Sequence, residues 1–127
     1  MRAAGLFCLF AGLGDAATGL LLIAAPALVL RLLGIGPVAD DALLRFVGVF
    51  VGCVGLAYLY PWVLRRRGRL RTAIEITAGV RLAVAIFLAV AVLRGAMDEA
   101  WIPVGGYDAL VAAAQLALLA RGFFDGV

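Results

Sequence analysis

Apolar residues in this chain fall into four runs of about twenty, and the polar residues crowd into the connections between them. A run of that length is what a helix rising about 1.5 Å per residue needs to cross the hydrocarbon core of a bilayer. The pattern predicts an all-α fold, an integral membrane four-helix bundle in one transmembrane domain, with spans at residues 3–25, 42–60, 72–93 and 104–120. Pro26 has no amide hydrogen and disfavours a helical residue before it, so it should end or kink the first span. Residues 27–33 are then either its last turns or a short helix lying in the interface, closed by Gly34, Gly36 and Pro37. Asp40 or Asp41 can cap the second span. Pro61 stands at its far end, and Tyr58, Tyr60 and Trp62 are expected to gather there in the headgroup layer. Thr72 and Glu75 fit a capping box at the start of the third span. Pro103 opens the fourth.

Charge adds direction. Arg65, Arg66, Arg67, Arg69 and Arg71 occupy one short connection and make up five of the 11 basic residues. Short loops keep Lys and Arg on the cytoplasmic side, which puts both termini in the cytoplasm and these arginines at the membrane surface against anionic headgroups. The first run starts like a signal peptide, but it is longer than an h-region and Asp15 interrupts it, so it is expected to stay as a span. With 66% hydrophobic residues and a mean hydropathy of +1.14, the chain has too much apolar surface for a water-soluble domain of 127 residues. The net charge of +3 comes mostly from one connection and points to orientation, not to nucleic acid.

The inventory narrows the chemistry. His, Ser, Lys and Asn are all absent, which removes Ser–His and Cys–His hydrolases, Schiff-base lysines, imidazole zinc sites and His-ligated haem. Cys8 and Cys53 lie on separate spans and form no Cys-x-x-Cys pair, so both are read as small buried hydrophobes. No catalytic residue, metal site or resident cofactor is expected.

Five ionisable residues remain inside the spans: Asp15, Arg45, Glu75, Arg81 and Asp108. Glu75 is explained by the capping box. A charge at the bilayer centre costs about 2.5–3.5 kcal/mol even on insertion scales, so the other four need partners or a function. Depth along the helices sorts them into Asp15 with Arg81 and Arg45 with Asp108. Helical phase gives a second sorting. Asp15 shares a face with Cys8, Gly12, Thr18 and Gly19, and Arg45 with Gly48, Gly52 and Gly55. Arg81 stands over Thr77, Ala78 and Ala85, and Asp108 lies with Gly105, Ala112 and Gln115. Small residues let helices approach closely, so these stripes should face inward. Asp15, Thr18, Arg45, Arg81, Asp108 and Gln115 would then form a buried polar centre that either fixes helix packing or binds a ligand.

The run Pro-Ala-Leu-Val-Leu-Arg-Leu-Leu-Gly at 26–34, followed by Leu-Leu-Arg-Phe-Val-Gly at 43–48, resembles the DoxX-like group of small bacterial four-helix membrane proteins. The resemblance implies a multi-pass protein of the bacterial inner membrane and a quinone or other small lipophile as the ligand class, with no catalytic residue carried over. Three roles follow. The chain could bind a small lipophile or a partner membrane subunit at its polar centre, in one or several copies. It could be an accessory subunit of a redox complex. It could exchange protons through Asp15, whose place midway along the first span resembles that of the acidic residue in small multidrug resistance exporters; the strong charge bias and a neutralising Arg81 weigh against that.

Overall fold

The computed structural model describes residues 2–125, apart from the side chains of Arg2 and Arg67, so the surface role expected of Arg67 lies outside the described residues. Those residues form five α-helices: α1 (Arg2–Ala24), α2 (Pro26–Leu32), α3 (Asp41–Val63), α4 (Leu70–Leu93) and α5 (Ile102–Ala120). There is no strand among them. Single 3-10 turns at Arg67–Arg69 and Glu99–Trp101 precede α4 and α5. The helices at Ala3–Ala24, Asp41–Val63, Leu70–Leu93 and Glu99–Ala120 are each long and apolar enough to cross a membrane, which suggests a multi-pass membrane protein. Their packing gathers them into two compact units, one ending at Gly68 and the other starting at Arg69. Each is a helical hairpin.

The first hairpin packs α1 antiparallel to α3 through glycine. A β-carbon placed on Gly19 would lie 2.5 Å from the Gly52 amide nitrogen and 2.7 Å from the Gly48 carbonyl oxygen. One on Gly55 would lie 2.4 Å from the Ala16 nitrogen and 2.6 Å from the Gly12 oxygen. The two backbones therefore touch directly, as expected for the small-residue faces of α1 and α3. Gly5, Gly12 and Gly19 recur every seven residues, the period that keeps one seam of a helix on its partner along a gentle left-handed crossing. Gly5 receives the ring of Trp62, whose nearest carbon would be 3.0 Å from an added β-carbon. Trp62 is half-buried and Tyr58 is fully buried, its ring edge-on to Phe7 at 6.5 Å. Tyr58, expected near the end of this span, is there packed inside the hairpin. At the C-terminal end of α3 the glycine seam leaves room for large rings.

Helix ends follow local chemistry. Asp40 caps α3 by accepting from the Leu43 amide at 3.1 Å. Pro26 opens α2 as a separate helix. Three helices stop on a glycine in the left-handed region: Gly34, Gly95 and Gly122, with φ of 70°, 71° and 69°. In each, the next residue's amide returns to a carbonyl five residues back, from Ile35 to Leu30, Ala96 to Ala91 and Phe123 to Leu118, which closes the free carbonyls of the last turn. The capping box does not form. Helix α4 starts at Leu70, two residues early for Thr72 to cap it, and Glu75 turns to Arg71 one turn back at 2.9 Å.

Candidate functional site: a polar ladder in the second hairpin

In the second hairpin the apolar faces of α4 and α5 are interrupted by three polar rungs. The upper rung joins Arg81 and Asp108. The guanidinium Nη1 donates to the Asp108 carboxylate at 2.5 Å, and the two side chains keep only 4% and 16% of their exposure. Arg81 stands eleven residues past Leu70 and twelve before Leu93, the middle of α4. Its guanidinium carbon also lies 5.7 Å from the centre of the Tyr107 ring, within cation–π range. Asp108 is held at this place by Gly105, one turn earlier, whose missing side chain lets α5 settle onto Leu88 of α4.

The middle rung is neutral. Gln115, with no exposed surface, donates from Nε2 to the Thr77 hydroxyl at 2.9 Å and to the Ile74 carbonyl at 3.2 Å. The Thr77 hydroxyl in turn donates to the Ala73 carbonyl one turn back at 2.8 Å. The lower rung lies at the start of α4, where Arg71 bonds to both Glu75 and Asp125. That contact folds the turn after α5 back onto α4, with Phe124 buried beneath it.

Three of the expected polar residues belong to this hairpin. Arg81, Asp108 and Gln115 come together, and Thr77 joins them as a fourth member that was read only as a neighbour of Arg81. Its threonine hydroxyl and the chain's one glutamine, both on small-residue faces of adjacent spans, were the signal for that pair. The partner of Asp108 is Arg81, where sorting by depth had paired it with Arg45. The cause is the 3-10 turn at Glu99–Trp101, which extends the last span upward. Asp108 thereby lies nine residues below Glu99, about 15 Å down, near the level of Arg81 about 18 Å below the end of α4.

Arg45 has a different task. It is exposed, and its Nη1 donates to the carbonyl of Ile23 in the last turn of α1. The Ile23 carbonyl is one of the last-turn acceptors left open where α1 breaks before α2, so a cation reaching across from α3 satisfies it. Thr18 is exposed and bonds to the Gly14 carbonyl of its own helix at 2.8 Å. Asp15 is half-buried on the flank of the α1 glycine seam. Cys8 is buried and Cys53 exposed, and neither forms a disulfide. Of the arginine-rich connection, Arg65, Arg66 and Arg69 are exposed and Arg71 is committed to the lower rung. Among the described residues no group of acidic, cysteine or histidine side chains is arranged to hold a metal ion.

No family model, curated protein or solved structure matches this chain. Its site is therefore read from its own geometry.

Proposed function

We propose that the chain is a four-span protein of the bacterial cytoplasmic membrane that binds a small lipophile of the quinone or lipid class at the Arg81–Asp108 rung. Both ends and the arginine-rich connection lie in the cytoplasm in this reading, following the positive-inside bias. The resemblance of residues 26–34 and 43–48 to DoxX-like proteins implies the same ligand class. The observation that carries the proposal is a guanidinium with 4% of its surface exposed, midway along an apolar helix and ion-paired to a carboxylate. A hairpin needs no such pair for stability: apolar residues of similar volume usually do as well or better than a buried ion pair. Register is already fixed by Gln115 on Thr77, one turn away. Retaining two costly charges at mid-span is the mark of a functional site. Tyr107, 56% exposed beside the pair, gives a ring or carbonyl group a surface on which to approach it.

The test uses the full chain purified from its own membranes in mild detergent, with co-purifying lipophiles extracted and compared with the bulk membrane. One quinone or related lipophile should be enriched over its bulk proportion. Arg81→Leu alone strands the Asp108 carboxylate and should cost about 3–5 kcal/mol of stability. The double variant Arg81→Leu/Asp108→Leu should keep its fold and lose the lipophile. Retention at the unsubstituted level in the double variant, or a bulk-like extract from the unsubstituted chain, rejects the proposal.

A further inference from the structure

A second site is built into the first hairpin, where α2 lies between two spans and so at the depth of the membrane surface. Leu30, Ile35, Pro37 and Val38 line a groove of about 290 Å³ together with Arg31 and Asp41. Arg31 stands in the last turn of α2 and Asp41 in the first turn of α3. Both side chains are exposed, and neither makes a hydrogen bond or ion pair among the described residues, with each other or with anything else. The neighbouring Asp40 is occupied with its cap on Leu43. One groove thus holds an unspent cation and an unspent anion beside apolar residues.

We infer that this groove binds the headgroup of a zwitterionic phospholipid bearing a primary ammonium, as in phosphatidylethanolamine. The guanidinium offers the phosphate a fork of parallel donors. The carboxylate accepts from the ammonium, which carries three N–H groups. The apolar residues take the glycerol end and the first part of the acyl chains. Charge balance disfavours other occupants. A free phosphate or an anionic lipid gains from Arg31 but is opposed by Asp41, which acts as the excluding element. A choline headgroup has no N–H to give the carboxylate. The inference rests on the membrane assignment above and is independent of any ligand at Arg81.

The experiment takes the full chain in nanodiscs of equal phosphatidylethanolamine and phosphatidylglycerol and reads the lipids retained after release by native mass spectrometry. Phosphatidylethanolamine should be retained over phosphatidylglycerol by about fivefold, the worth of one favourable headgroup charge. Asp41→Asn should collapse that preference by raising phosphatidylglycerol, and Arg31→Gln should lower both lipids. Replacing phosphatidylethanolamine with phosphatidylcholine should lose most of the retention. Arg81→Leu/Asp108→Leu should leave the lipid ratio untouched, which separates failure here from failure at the ladder. Both groove variants alter exposed side chains, and unchanged melting temperatures should confirm that they fold. An unaltered ratio in Asp41→Asn, or equal retention of the choline and ethanolamine lipids, overturns the inference.

Discussion

Replacing Gly19 by alanine should open the first hairpin, although alanine is the better helix former. The new β-carbon would lie 2.5 Å from the Gly52 nitrogen and 2.7 Å from both its Cα and the Gly48 oxygen. All three are backbone atoms of α3, so no side chain can rotate away. Carbon contacts are comfortable at about 3.5–4.0 Å, and the helices must therefore separate by about 1 Å along much of the seam. Overpacking of this kind costs about 1–3 kcal/mol, and a gap of that width forfeits a quarter to a half of each atom-pair attraction along the stripe. In lipid that attraction is a main force between helices, because the chains around them are as apolar as leucine.

The right reference is another glycine-to-alanine change in the same helix. Gly14 would have nothing within 4 Å of an added β-carbon, so Gly14→Ala should carry only the propensity gain of about 0.5–1 kcal/mol. Subtracting the two cancels propensity and leaves the steric cost. Unfolding by SDS titration in mild detergent, followed through Trp62 fluorescence with all variants made in a Trp101→Phe background, reads this hairpin because Trp62 lies on Gly5. Gly19→Ala should unfold at lower SDS than Gly14→Ala, by about 1–3 kcal/mol. Gly52→Ala, also open to an added β-carbon, should behave like Gly14→Ala even though Gly52 belongs to the Gly-x-x-x-Gly. Equal midpoints for Gly19→Ala and Gly14→Ala would refute close backbone contact as what joins α1 to α3.

Two further predictions concern helix ends. Arg65 ends α3 with φ of 52°, the position that glycine fills after α2, α4 and α5, so Arg65→Gly should stabilise the chain by about 0.5–1 kcal/mol, measured by thermal melting in detergent; Arg66→Gly, as the control, should give no gain. Arg45→Leu should cost about 1.5–3 kcal/mol by taking a charged donor from the Ile23 carbonyl, and amide exchange should rise in the last turn of α1 while α5 is unaffected.

Most of the fold was legible because each span announces itself by length and each packing face by its small residues. The stripes through Gly12 and Gly19, through Gly48 and Gly55, and through Thr77, Ala78, Arg81 and Ala85 follow from helical phase alone, and local errors at helix ends do not shift phase; Gly52, expected on the second stripe, has open space where its side chain would be. Depth is less forgiving. The partner of Asp108 was misplaced because its level was counted from Val104, whereas the rod begins with the turn at Glu99. The capping box failed for a related reason: an arginine at position 71 offers Glu75 an ion pair that outlasts any cap once the helix starts at Leu70. That the Tyr58 ring is buried was not legible, because it depends on Phe7 of α1 packing against it.

The two hairpins solve one problem by opposite means, and the contrast bears on function. Between apolar helices in lipid, association must come from close packing or from polar contacts, since no water is expelled. The first hairpin uses shape: Gly12, Gly19, Gly48 and Gly55 bring backbone onto backbone, and its charged Arg45 is spent at a helix end. The second has one close glycine contact, Gly105 on Leu88, and depends on its rungs. Of those rungs, Thr77 with Gln115 gives specific, neutral hydrogen bonds at modest cost, and Arg71 with Asp125 lies at the helix ends where charge is easily solvated. Arg81 with Asp108 is the one rung that is both fully charged and at mid-span. A sequence able to join one hairpin chiefly through glycine had a cheaper way to join the other. That contrast is why the proposed function assigns the pair at mid-span to holding a ligand and not to joining the helices.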